Sequence, residues 1–309
     1  AYTHIVRRSR DIGLEVKPEK CEVIGLSDQP KEQIAEAGFV LKTEAGDDKG
    51  MTYIQASEGF TFLGTPIGGA EYCDKYMAKK LESWRPSLTA LSGMTNKQAA
   101  LSIFRHCEGF ARMVFYMRAM GHHGVLQYLE QIDQEVDKSL AELLLSDQTL
   151  AGDERTQAAL PIRLGGLGVR RAADHWHSAA LAAMAGGFNL CKSLDKEYKW
   201  DAGLWRATCT EYNKHVDEAD ALDPGARAEE NVQQRELSGA IVERQHETLV
   251  EEADAQGRAR LLSLTLPRAG SYLAAPLGPE NRIAPEAFVA ATRFRLRMGL
   301  YEKGDKCLR

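Results

Sequence analysis

Phe60-Thr61-Phe62-Leu63-Gly64-Thr65-Pro66-Ile67-Gly68-Gly69 is where the chain changes its periodicity. Before it, apolar residues come in short, β-rich runs. From residue 70 the apolar spacing becomes about 3.6, so Tyr72, Tyr76, Leu81, Trp84, Leu88 and Leu91 share one face of an amphipathic helix. The stretch itself predicts a strand, a turn at Leu63-Gly64 and a second strand, with Phe60 and Phe62 alternating with Thr61 and expected to anchor the hairpin in core.

Working upstream, residues 2–12 read as the end of a helix, stopped by Gly13. After Pro18, Cys21-Glu22-Val23-Ile24-Gly25-Leu26 alternates like a half-buried strand. Residues 31–37 allow a short helix. Runs 39–42 and 51–55 are β-rich, and Gly46-Asp47-Asp48-Lys49-Gly50 between them predicts a hairpin turn.

Downstream, Thr95 is the expected N-cap of a helix over 96–120 that buries Leu101, Phe104, Phe110, Val114 and Met117. A third helix is expected over 123–145. In Leu160-Pro161-Ile162-Arg163-Leu164-Gly165-Gly166-Leu167-Gly168-Val169, two apolar arms flank Gly-Gly and predict a tight β-turn. An Ala-rich helix over 172–187 follows, then helices over 201–216, 227–256 and 257–264. A Pro- and Gly-rich loop spans 267–284, and Pro285 opens a last helix through about 299. The expected fold class is α+β, in three parts: a short β-containing segment over 1–69, a helical segment over 70–150 and a helical region over 151–309.

The 309 residues, 44% of them hydrophobic and 27% charged, suit a globular chain with enough core for two or three domains. No apolar run approaches the roughly 18 residues of a membrane span. Ala1-Tyr2-Thr3-His4-Ile5 carries no signal-peptide pattern and no initiator Met, so this start is expected to be a cut. The six cysteines are dispersed, with no C-x-x-C pair, as in a reducing compartment. The net charge of −5 argues against nucleic acid, but its distribution does not. Residues 70–125 hold eight basic side chains against four acidic ones, a local +4, while eight acidic side chains concentrate in 227–257.

Four stretches carry a family resemblance. Gly13-Leu14-Glu15-Val16-Lys17-Pro18-Glu19-Lys20-Cys21-Glu22-Val23 is similar to the motif after the catalytic Asp-Asp hairpin of reverse transcriptases, particularly those of LINE-like retrotransposons. About 40 residues on, Phe60 to Gly68 resembles the next motif of that family, the primer grip. Residues 160–169 resemble a Pro-x-x-x-Gly-Gly-Leu-Gly segment found after the thumb. Residues 286–307, with Phe288, Arg293, Arg295, Leu296, Arg297 and Cys307, resemble the approach to a Cys/His zinc-binding cluster. The resemblance implies the end of a palm over 1–69, a thumb over 70–150 and a post-thumb region over 151–309. The zinc cluster itself would lie beyond Arg309.

The implied parent activity is RNA-directed DNA synthesis, which uses two metal ions, Mg2+ by expectation, held by palm carboxylates. Those aspartates lie upstream of the motif at 13–23, so this chain alone is expected to bind no cofactor and to lack polymerase activity. Its implied partners are an RNA template and a DNA primer, with no membrane. Its implied locations are the nucleus and cytoplasm. Lys20 stands where the family places a lysine near the pyrophosphate leaving group, a position suited to a general acid or a charge stabiliser. Leu63 and Gly64 would form the primer-grip turn, where the absence of a Cβ lets backbone approach a sugar-phosphate. Lys75, Lys79 and Lys80, and Arg105 and Arg112 seven apart on the next expected helix, would hold phosphates of the template–primer duplex without reading sequence. Arg293, Arg295 and Arg297 form an alternate-residue basic stripe that could add a distal contact.

Other features have plain structural readings. Asp47-Asp48 is read as a solvated hairpin tip and His122-His123 as a loop or cap beside Gly121 and Gly124. His175 and His177 would diverge by about 200° on a helix, which disfavours a metal site. Gly165-Gly166-Leu167-Gly168 lacks dinucleotide-loop spacing. The competing readings are a non-catalytic helical remnant or interaction protein from a decayed retroelement, and a generic helical scaffold.

Overall fold

The computed structural model describes residues 2–25, 31–42, 50–120, 125–146, 149–225, 232–275 and 278–299. Asp47-Asp48, His122-His123 and Cys307 lie outside them. The fold is α+β, with a short β segment and a helical bulk. The chain divides into two compact units, Ala1–Ala78 and Lys79–Arg309.

In the first unit, α1 (Tyr2–Asp11) ends at Gly13, whose φ of 77° turns the chain. A 3-10 turn at Pro18–Lys20 leads into β1 (Glu22–Gly25), followed by α2 (Lys31–Glu36) and β2 (Thr52–Gln55). Strands β1 and β2 pair in parallel, with Glu22 opposite Thr52 and Gly25 opposite Gln55. The bridge between Leu41 and Met51 is parallel as well. Runs 39–42 and 51–55 therefore do not make the expected hairpin. Met51 N–H donates to the Val40 carbonyl and Lys42 N–H to the Met51 carbonyl, an offset that a tight antiparallel turn does not produce. Next come β3 (Phe60–Phe62) and β4 (Thr65–Ile67), paired antiparallel as the sequence predicts, and α3 (Ala70–Ser92), which runs on past the boundary between the units. Among the described residues, strands occur only in this first unit.

The second unit is helical: α4 (Lys97–Cys107), α5 (Phe110–Met120), α6 (Leu126–Leu143), α7 (Gly152–Ala159), α8 (Trp176–Leu194), α9 (Ala202–Asn213), α10 (Gln234–Glu252), α11 (Ala255–Leu264), α12 (Ser271–Ala274) and α13 (Pro285–Arg295). Asn96, not Thr95, is the N-cap of α4, its side chain accepting from Ala99 N–H at 3.0 Å. The single helix expected over 96–120 is two helices. Gly109 breaks it with φ 52°, and a Cβ there would stand 2.9 Å from Cγ2 of Val136 on α6. Packing against α6 thus selects glycine at the corner, and glycine permits the corner.

Helix α8 is the centre of this unit, packed against α5, α9 and α10. Its buried Ala179, Ala180, Leu181, Ala182 and Ala185 keep the neighbouring helices close. With Trp205, Cys209, Tyr212, Leu237 and Ile241, Leu181 and Ala185 form one apolar cluster. Helix α8 begins at Trp176 rather than 172, because the buried Asp133 carboxylate takes the N–H groups of Ala172 (2.8 Å) and Ala173 (2.9 Å).

Residues 160–169 are not a Gly-Gly hairpin. A 3-10 turn at Ile162–Leu164 leads into Gly165 at φ 86°, and Gly166 and Gly168 N–H donate back to the Pro161 and Leu160 carbonyls. The outward-facing carbonyls are taken by side chains from afar. Gln157 Nε2 donates to Gly165 at 3.0 Å, and Arg295 donates to Gly166 (3.1 Å), Ile162 (2.7 Å) and Ala269 (3.0 Å). These partners satisfy the segment as a coil, so it needs no strand pairing.

Candidate nucleic-acid interface

The hairpin of β3 and β4 places Phe60 opposite Ile67 and Phe62 opposite Thr65. Leu63 and Gly64 bridge the strands with φ of 48° and 84°. Positive φ at both central residues is the pattern of a type I′ turn, whose twist matches that of paired strands. Leu63 is 83% exposed.

The hairpin is fastened to α3 by two tyrosines one turn apart. The Tyr72 ring lies across the hairpin base, so that a Cβ at Gly59 would stand 2.3 Å from it and one at Gly68 3.2 Å. The Tyr72 and Thr61 hydroxyls are 3.2 Å apart. Tyr76 Oη donates to the Gly64 carbonyl at 2.8 Å, holding the tip. Phe62 is not the anchor expected of it: it is 56% exposed, whereas Pro66 is buried. With only two three-residue strands, one face of the hairpin is covered and the other stays open. Phe62, Leu63 and Ile67 are all exposed apolar side chains here.

Lys75 and Lys79 are exposed on α3, four residues apart on one face. Lys75 pairs with Glu71 at 2.7 Å, and that hydrogen bond holds the Glu71 carboxyl below the usual range. Lys79 has no acidic partner among the described residues, and Lys80 is half-buried. Lys20 closes the Pro18–Lys20 turn, exposed, on the approach to the separate β1–β2 sheet.

Arg105 and Arg112 do not share a helix face, since Gly109 separates α4 from α5. Both are engaged internally. Arg105 Nε donates to Leu167 (2.9 Å) and Nη1 to Leu273 (3.1 Å). Arg112 Nη2 reaches the buried Glu108 at 2.6 Å while its guanidinium sits 5.5 Å from the Trp84 ring centroid. Burial pushes the Glu108 carboxyl up, and Arg112 pulls it back. The stripe at 293, 295 and 297 does not form a common surface. Arg295 is buried, Arg293 Nη1 donates to Leu145, and Arg297 pairs with Asp254 at 3.6 Å.

Sequence reading missed the tyrosine pair as fasteners, since Tyr72 and Tyr76 fit the apolar helix pattern equally well. It also missed the buried polar set of Asp133, Gln157 and Arg295, which includes partners 39 to 138 residues away. Among the described residues, no group of three or more His, Cys, Asp and Glu could hold a metal ion, and no helix is long and apolar enough to cross a membrane. Comparison with family models, curated proteins and solved structures gave no match to this chain.

Proposed function

We propose that this chain is the palm end, thumb and post-thumb region of an RNA-directed DNA polymerase from a LINE-like retrotransposon. Its task is to grip the primer end and hold the RNA–DNA template–primer duplex, while carboxylates outside it hold Mg2+ for the chemistry. The observation that supports this best is the hairpin at Phe60–Ile67. Its exposed Leu63-Gly64 tip is fastened by Tyr76 to a helix that also carries Lys75, Lys79 and Lys80. An exposed turn whose glycine lacks a Cβ and lysines on the adjoining helix suit a sugar-phosphate backbone, contacted without base readout. Lys75, Lys79 and Lys80 are the main duplex contacts in this reading. Arg105 and Arg112 contribute through the framework they hold, and Lys20 serves the leaving group only in the intact polymerase.

The test is the affinity of the chain for an RNA–DNA hybrid, followed by fluorescence anisotropy across a salt series. Joint replacement of Lys75, Lys79 and Lys80 by Ala should weaken binding and make the salt slope shallower by roughly 2–3. Unchanged affinity and slope in the triple variant would overturn the reading.

A further inference from the structure

Several arginines of the second unit have a carboxylate partner, among them Arg85 with Glu135, Arg112 with Glu108 and Arg171 with Asp174. Arg105 and Arg170 do not, and they line the same cavity of about 510 Å³. It opens between the α4–α5 corner and the loop after α7. His106 adds a third basic side chain to its wall, and no lining residue is acidic.

The Arg105 guanidinium is built into place, whereas Arg170 is exposed to solvent. Arg105 is fixed by the Leu167 and Leu273 carbonyls through Nε and Nη1, which leaves its Nη2 without a hydrogen-bond partner among the described residues. Gly168, at φ 77°, makes room for it; a Cβ there would meet Arg105 Cδ and Nε at 3.1 Å. The Arg170 guanidinium sits 5.5 Å from the Phe110 ring centroid and makes no hydrogen bond or ion pair among the described residues. Burial lowers the pKa of Arg105, the direction expected when a cation is desolvated without a counter-charge. An anion between Arg105 and Arg170 would supply that charge and accept from guanidinium forks shaped for phosphate oxygens. The remaining wall is apolar, formed by Phe110, Val114 and Ile162.

We propose that this cavity binds a nucleotide by its phosphate, with Arg105 Nη2 and Arg170 as the anion contacts and the Phe110–Val114 wall facing the base or sugar. The volume lies within the roughly 300–1,000 Å³ of small-molecule sites and exceeds what a lone phosphate fills. The nucleotide can be free or a unit of a single strand, since both present the same phosphate chemistry. The site stands apart from the hairpin reading and does not rest on it.

Isothermal titration of the whole chain with adenosine monophosphate, a single-stranded hexanucleotide and inorganic phosphate tests this. Arg170→Gln is the informative variant, because Arg170 holds no internal hydrogen bond, whereas Arg105→Gln would also release the Leu167 and Leu273 carbonyls. The nucleotide or the hexanucleotide should bind more tightly than about 1 mM, and Arg170→Gln should weaken that about tenfold, the loss of one charge-assisted contact. Tighter binding of the mononucleotide assigns a free nucleotide and tighter binding of the hexanucleotide assigns a strand; either supports the site. The proposal is overturned if neither binds, if Arg170→Gln binds as well as wild type, or if inorganic phosphate alone matches the nucleotide.

Discussion

Replacing His177 by Phe should flatten the pH dependence of stability in the second unit. His177 is fully buried at the start of α8. Its Nδ1 accepts from Ser178 N–H at 3.1 Å, and its Nε2 has no partner. Its ring stacks on His215 at 4.8 Å and meets Tyr212 edge-on at 5.7 Å. Burial, then the neighbouring His215 and His175, pushes its pKa from 6.5 down to about 3. Below pH 6.5 the unfolded chain takes up a proton that the folded chain refuses until about pH 3. The unfolded state binds more protons in that window, so stability falls as pH falls through it and is unaffected above it. At about pH 4.5 the loss is two pH units times about 1.36 kcal/mol, or roughly 2.7 kcal/mol, for any folded pKa well below 4.5.

Two other groups titrate nearby. His175, lowered to about 4, acts in the same direction, while Asp133, raised to about 7 by burial, acts in the opposite one. The folded state protonates Asp133 first, so its contribution to stability grows as pH falls from about 7 toward 3.8. Both remain in the variant, so the difference between the two proteins isolates His177. Urea unfolding at about pH 7.5 and about pH 4.5, read by tryptophan fluorescence, measures it. Trp84, Trp176, Trp200 and Trp205 all lie within Lys79–Arg309, so the signal reports that unit. Wild type should lose about 2.7 kcal/mol more than His177→Phe between the two conditions. Equal losses would refute a neutral, buried His177.

The loop at 160–169 offers two further tests. Arg295→Met strips the Gly166 and Ala269 carbonyls of their donor, while the Ile162 carbonyl keeps Gly165 N–H. At about 1–3 kcal/mol for each orphaned group, stability should drop by about 2–6 kcal/mol; an unchanged urea midpoint would count against the network. Gly166→Ala puts a Cβ 1.9 Å from the Leu160 carbonyl oxygen and should cost about 3 kcal/mol or more, whereas Gly186→Ala, in open space on α8, should stabilise by about 1 kcal/mol. Melting curves that shift in the same direction for both would show that the loop is looser than described.

What was legible in the sequence was what local chemistry decides. Gly13 ends α1, residues 60–67 form a hairpin, α3 begins at Ala70, and Pro285 occupies the first turn of α13. Each rests on residues within a few positions of one another. The misreadings arise where distant residues intervene. Val136 presses on Gly109 and splits one expected helix into two. Asp133 captures the N–H groups of Ala172 and Ala173 and delays α8. Arg295 and Gln157 replace the strand partners expected for 160–169. The candidate site divides in the same way. Leu63, Gly64 and Lys75 were readable because their geometry is set by a turn and a helix face. Arg105 looked like one more surface cation, because nothing near it in sequence reveals the Leu167 and Leu273 carbonyls it serves.

The two tyrosine fasteners of the hairpin set a rule about chain length. Tyr72 and Tyr76 point at the base and the tip because they sit at fixed phases of one helix. One residue inserted between Gly68 and Tyr72 would swing both by about 100° and detach both ends together. Side-chain replacements at Leu63, by contrast, leave that phasing intact. The hairpin should therefore accept variety at its tip and almost none in its spacing, so that a single-codon insertion there does more harm than most substitutions.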